Sequence, residues 1–198
     1  MTIQAAFYTG HKTFTLEPKE APAPASGEVQ IDVAYVGICG TDMHVFHGNM
    51  DARVGNHRVI GHEMSGTVAA LGEGVGGFAP GDRVVVRPLA HCGECPACQA
   101  GHTHICHKLK FLGLDTDGAL QEKWNVPAYT LHKLPPDMSL ETAAMIEPLA
   151  VAVHDIRRAQ QVGSVHAIIG AAELRPYLVG AVARGVARTA AEREGGTG

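Results

Sequence analysis

Residues 91–106 read HCGECPACQAGHTHIC and set Cys92, Cys95, Cys98 and Cys106 in the spacing C-x2-C-x2-C-x7-C. Four thiols this close, in a chain with one further cysteine, read as the ligand set of a closed, tetrahedral structural zinc site. Two disulfides are the competing reading. The opening MTIQAAFYTGHKTF is mixed and polar-ended rather than a hydrophobic leader. A reducing, cytoplasmic setting is therefore expected, in which thiolates bind metal instead of pairing. The zinc would staple a lobe, 91–107, that has little apolar material of its own. His91, His102, His104 and His107 flank it and are expected at the surface, because four sulfurs leave a structural site no vacancy. Cys39 lies outside this set and needs different chemistry.

Outward from the lobe, the 198 residues suit one domain with an appendage, or two small ones. Hydrophobic residues make up 45% of the chain, enough for an ordinary globular core. The net charge is −4 without a basic stripe, so no nucleic-acid partner is expected. No apolar run reaches the roughly 18 residues of a membrane span. The 24 glycines and 11 prolines argue for a turn-rich β structure. Period-two alternation predicts strands over Thr2–Tyr8 and Val29–Val36, with others at Ser65–Leu71, Arg83–Arg87, Trp124–Val126 and Thr130–Leu134. Pro18, Pro22 and Pro24 predict a loop between the first two strands. Thr41–Phe46 reads as one or two helical turns. Ser139 is placed to cap a helix over Leu140–Gln160, kinked or broken at Pro148.

After Gln161 the character changes, so the chain divides into a mainly β domain, 1–161, and an appendage, 162–198. Val165–Ile169 (VHAII) is a buried-type strand followed by Gly170, where a dinucleotide-binding βαβ unit would begin. The following GAAELR puts Ala172 and Arg175 where that fingerprint needs glycines. Only 28 residues follow Gly170, too few for a doubly wound sheet.

A second constellation combines Cys39, Thr41, Asp42 and His44 in GICGTDMH, His62 and Glu63 in GHE, and Glu147 in IEPLA. A catalytic zinc takes about three protein ligands and keeps one position open. Cys39 offers a thiolate, His62 an imidazole, and Glu63 or Glu147 a carboxylate. By spacing alone the set is weak, and a buried apolar thiol beside a helix-capping carboxylate is the ordinary alternative.

GICGTDMH, VIGHEMSGTVAALGEGV, FAPGDRVVV, the four-cysteine lobe and IEPLAVAVH together resemble the zinc-containing medium-chain alcohol dehydrogenases, in particular the sorbitol and threonine dehydrogenase branch. The likeness covers about residues 1 to 160. It implies a GroES-like β-barrel with a zinc lobe, followed here by a helical, truncated stub of a Rossmann domain. It also implies two zinc ions. One is structural, on the four lobe cysteines; the other is catalytic, on Cys39, His62 and Glu147, with Glu63 able to enter or leave. Thr41 and His44 would relay the alcohol proton to solvent, and a polyol or secondary alcohol would lose hydride to NAD(P). The family's dimers and tetramers make a homo-oligomer the expected assembly. The nucleotide site looks lost in the stub. A non-catalytic zinc-binding GroES-like domain is therefore the second expectation for this chain.

Overall fold

Ile3, Ala5 and Phe7 alternate inward along Thr2–Gly10 (β1), the period-two pattern of a strand with one buried face. The computed structural model of this chain describes residues 1–162. β1 turns into Thr13–Glu20 (β2), which pairs with it antiparallel, and Arg58–Val59 (β4) lies on its other side. The predicted loop is thus in part a strand. Pro18 is tolerated because β2 is the edge of the order β2-β1-β4. The hairpin is hidden in the sequence because its turn sets His11 and Lys12, not Asn-Gly, at φ 52° and 60°.

The second sheet runs β10-β6-β5-β3-β9, from Leu131–Lys133 (β10), Arg83–Val86 (β6), Glu63–Leu71 (β5), Glu28–Gly37 (β3) and Lys123–Pro127 (β9). Its buried face gathers Val29, Ile31, Met64, Val68, Val84, Val86, Trp124 and Val126, each nearly inaccessible. Burying each such side chain contributes about 1.5–3 kcal/mol. A second cluster packs Tyr8, Val45, Val54, Ile60 and Leu114 beneath two short helices, Gly40–Phe46 (α1) and Asp51–Val54 (α2). The chain is mainly β, as expected. Strand pairing leaves its sheets open, with β10 and β9 as the edges of the larger one. The lobe carries a two-stranded ladder, Leu89–Ala90 (β7) with Lys110–Phe111 (β8), and one turn of helix, Pro96–Gln99 (α3).

Ser139 Oγ accepts from the Thr142 amide and starts Leu140–Ala143 (α4). The single predicted helix is two, with Ile146–Gln161 (α5) following. The break falls at Ala144–Met145, before Pro148 rather than at it. Pro148 is the third residue of α5, where an amide has no intrahelical acceptor and its loss costs nothing. The Ser65 hydroxyl donates to the Leu140 carbonyl and ties α4 to β5. The chain divides into two compact units, Met1–Ala150 and Val151–Gly198, the division falling within α5. His154 and Asp155 on α5 are exposed. The strand expected at Val165–Ile169, the GAAELR segment and the rest of the expected helical stub lie outside the described residues. No helix among the described residues is long and apolar enough to cross a membrane.

Candidate metal centres

Gly37 ends β3 and pairs with Glu63, which opens β5. This register carries Cys39, two residues beyond β3, up to His62, one residue before β5. Cys39 Sγ lies 3.3 Å from His62 Nε2. Ligand atoms of Cys39, His62 and Glu63 all fall within 4.8 Å of one another. A Cβ at Gly37 would meet Glu63 Oε2 at 2.5 Å, so the glycine is what leaves that carboxylate its place. A soft thiolate, an imidazole and a carboxylate converging on one point form a donor set that suits a divalent transition metal.

Asp42 is the residue whose role sequence reasoning left unassigned. Its Oδ2 accepts from the Cys39 amide at 2.9 Å, while Cys39 Sγ accepts from the Thr41 amide at 3.2 Å. The two form a capping box at the start of α1 with cysteine in the serine position. Asp42 Oδ1 lies 3.8 Å from His62 Nδ1, each side chain is 4% exposed, and neither atom has a hydrogen-bond partner. The carboxylate therefore faces the far side of the His62 ring and leaves Nε2 directed at Cys39. Such an outer carboxylate fixes the tautomer and orientation of a metal-ligating histidine. Its signal in the sequence was the acidic residue three positions after a cap. Asp42→Ala is expected to weaken the metal affinity of this site about 10- to 100-fold. Competition with a chromophoric chelator measures this, and unchanged affinity would remove Asp42 from the site.

Burial pushes the Cys39 thiol up, against the pull of the backbone amide donors. Glu147 stands outside the 4.8 Å set of Cys39, His62 and Glu63. It is half-buried in the first turn of α5. Burial and the Glu63 charge push its carboxyl up, and His62 opposes them. The Phe111 ring meets His62 edge-on at 5.0 Å. Asp115 accepts from the Phe111 amide and from both arms of the Arg53 fork, which holds its carboxyl below the usual range. Thr41 is half-buried. His44, one turn on, is exposed and lies 3.4 Å from Asn49 Nδ2.

In the lobe, the sulfurs of Cys92, Cys95, Cys98 and Cys106 also lie within 4.8 Å of one another. Cys106 Sγ accepts from the amides of Cys92 and Lys108, both at 3.3 Å. Backbone donors from His107 and Cys98 hold the Cys95 thiol down at about 6, whereas burial and the adjoining sulfurs push Cys98 up to about 12. Four sulfurs this close repel one another as anions, and a shared cation relieves that. His102, His104 and His107 are exposed and His91 is half-buried; none joins the sulfur set. The Tyr129 hydroxyl donates to the His91 carbonyl at 2.7 Å and pins the base of the lobe.

Residues 25–136 match the family model for the alcohol dehydrogenase GroES-like domain. The chain belongs to the zinc-containing medium-chain alcohol dehydrogenases. Among curated members it is 55% identical over 183 residues to a 2-dehydro-3-deoxy-L-galactonate 5-dehydrogenase of Pseudoalteromonas atlantica, covering 92% of this chain and 53% of that protein. It is 38% identical over 149 residues to an L-galactonate-5-dehydrogenase of Escherichia coli, covering 75% of this chain and 43% of that protein. Among solved structures, an alcohol dehydrogenase of Escherichia coli with bound NADH superposes at a TM-score of 0.73 with 34% identity, over 80% of this chain and 46% of that one. The chain spans about half the length of the curated relatives it matches.

Proposed function

We propose that this chain carries the metal-binding part of a zinc-dependent dehydrogenase that oxidises a secondary alcohol of a sugar acid or polyol. The convergence of Cys39, His62 and Glu63 within 4.8 Å carries this reading. Cys39 and His62 hold the catalytic ion with a carboxylate, Glu63 in this arrangement or Glu147 from α5. The four lobe cysteines hold a structural ion. Bound zinc supplies Lewis acidity at the alcohol oxygen, and NAD(P) supplies the hydride acceptor. The chain's own residues supply the rest. Asp42 orients His62, and Gly37 leaves room for the Glu63 carboxylate. The Thr41 hydroxyl takes the alcohol proton, and His44, on the same face of α1 and open to solvent, passes it out. The names of the curated relatives, which include 5-dehydrogenases of L-galactonate and of its 2-dehydro-3-deoxy form, support a hydroxylated acid as substrate.

Metal analysis tests the reading. The expected content is two zinc per chain, falling to one in Cys39→Ser because the two clusters share no residue. Loss of both ions in that variant, or a content near zero in the parent, would overturn it. In cobalt-substituted protein, L-galactonate is expected to perturb the visible bands of the Cys39 site; unaltered bands at saturating sugar acid would exclude that substrate.

A further inference from the structure

We propose that Arg53 and Asp115 are positioning residues for the Cys39 metal centre: their ion pair holds the Phe111 ring against His62 and so fixes the imidazole that meets the metal. The inference rests on the metal-centre reading above. Arg53 donates from Nε to Asp115 Oδ1 at 2.7 Å and from Nη2 to Asp115 Oδ2 at 2.8 Å, a two-bond fork. Asp115 Oδ2 also accepts from the Phe111 amide at 2.7 Å. The Phe111 carbonyl in turn accepts from the amides of Leu114 and Asp115, at 3.1 and 2.9 Å. Both backbone polar groups of Phe111 are therefore tied into one turn, and the arginine closes that turn from outside. The ring so placed meets His62 edge-on, with 5.0 Å between centroids.

The arginine is carried on a fixed backbone. Its neighbour Val54 is buried in the same cluster as Leu114. Asp51, which opens α2, accepts from the buried Tyr8 hydroxyl at 2.6 Å. The fork thus joins an anchored α2 to the turn behind Phe111. Cys39 and Asp42 face the two nitrogens of His62, and Phe111 bears on the ring itself. Folding stability does not account for the pair. The Arg53 and Asp115 side chains are 46% and 25% exposed, and ion pairs this open to solvent contribute little. Loss of a contact that orients a metal-ligating histidine, by contrast, weakens metal binding about 10- to 100-fold. The signature of the clamp is therefore lost metal affinity at one centre with little loss of stability.

Zinc-loaded chain, Arg53→Ala, Asp115→Ala and Phe111→Leu are compared by competition with a chromophoric chelator. Cys39→Ser, which keeps only the lobe ion, assigns the two steps of the competition curve. Arg53→Ala and Asp115→Ala are expected to weaken zinc at the Cys39 centre about 10-fold and to leave the lobe zinc in place. At saturating zinc, Arg53→Ala is expected to lower the melting temperature by no more than about 4 °C. In cobalt-substituted protein it is expected to shift the visible bands of the Cys39 centre. Asp115→Asn keeps an acceptor for the Phe111 amide and is expected to lose less affinity than Asp115→Ala. Arg53→Ala added to Phe111→Leu is expected to cost no further affinity, because the arginine acts through the ring. Unchanged affinity in Arg53→Ala, equal loss at both clusters, or full additivity with Phe111→Leu would overturn the proposal. Should Arg53→Ala not fold, Arg53→Lys, which keeps the charge but cannot form the fork, decides by the same readouts. A parent chain without zinc at Cys39 would instead overturn the metal-centre reading.

Discussion

Cys106→Ser empties the four-sulfur lobe of metal and unfolds it locally while the larger sheet persists. Cys106 is firmly committed to the site: it is buried, takes two backbone amide donors and lies within 3.9 Å of both Cys92 and Cys95. Structural zinc contributes about 10–16 kcal/mol of apparent binding free energy in small zinc peptides, where it is folding free energy outright. Here the loss is confined, because besides the metal the lobe is held by short elements: the two-residue ladder of β7 with β8, the single turn of α3 and the Tyr129–His91 hydrogen bond. The expected result is one zinc fewer per chain and fast amide exchange across 91–107, with protection retained in β3, β5 and β6. Chelation of the parent at neutral pH is expected to reproduce the exchange pattern. Retained zinc in Cys106→Ser, or slow exchange in the lobe without metal, would show that the sulfurs do not hold it together.

Gly118→Ala is expected to destabilise the first unit by about 3 kcal/mol or more and to strip the Cys39 site of metal while the lobe keeps its own. A Cβ at Gly118 would lie 2.3 Å from the Gly61 carbonyl oxygen, 2.6 Å from Gly113 Cα and 2.7 Å from the Ile60 carbonyl carbon. All three are backbone atoms and have no rotamer to retreat into. The segment is also strapped down, since the amides of Gly118, Ala119 and Leu120 donate to the carbonyls of Val59, Gly61 and Ile60. Pushing Gly61 away displaces His62, the next residue. A melting temperature lower by about 6–12 °C follows for a chain of this size. Gly76→Ala, where a Cβ meets nothing within 4 Å, is the control and is expected to be near neutral. Equal melting of the two variants, or full metal occupancy at Cys39 in Gly118→Ala, would contradict the role given to this glycine contact.

Strands of the larger sheet were legible where one buried face writes its period into the residues, as Trp124 and Val126 do in β9, while β6 was legible as a short run of valines, Val84–Val86, buried throughout. The helical turns at Thr41–Phe46 were legible as well. The β1–β2 hairpin was not legible, because its turn uses His11 and Lys12 in a conformation that other residues usually supply, and because an edge strand accepts Pro18. The split between α4 and α5 was read at the wrong residue. Proline marks the end of helix propagation when it is interior, and only the fold places Pro148 in the first turn of α5 instead.

The sequence alone set out the four lobe cysteines as a ligand set, because successive ligands three, three and eight positions apart are held close by the chain itself, whatever the surrounding fold. It also supplied Cys39, His62 and the two glutamates as candidates. Only the tertiary structure decided which of them meet. Antiparallel register between Gly37 and Glu63 brings together residues more than twenty positions apart, and it brings Asp42 behind His62 in the same step. Such pairing depends on long-range strand alignment and on backbone contacts at Gly37, Gly61 and Gly118, where the deciding feature is the absence of a side chain.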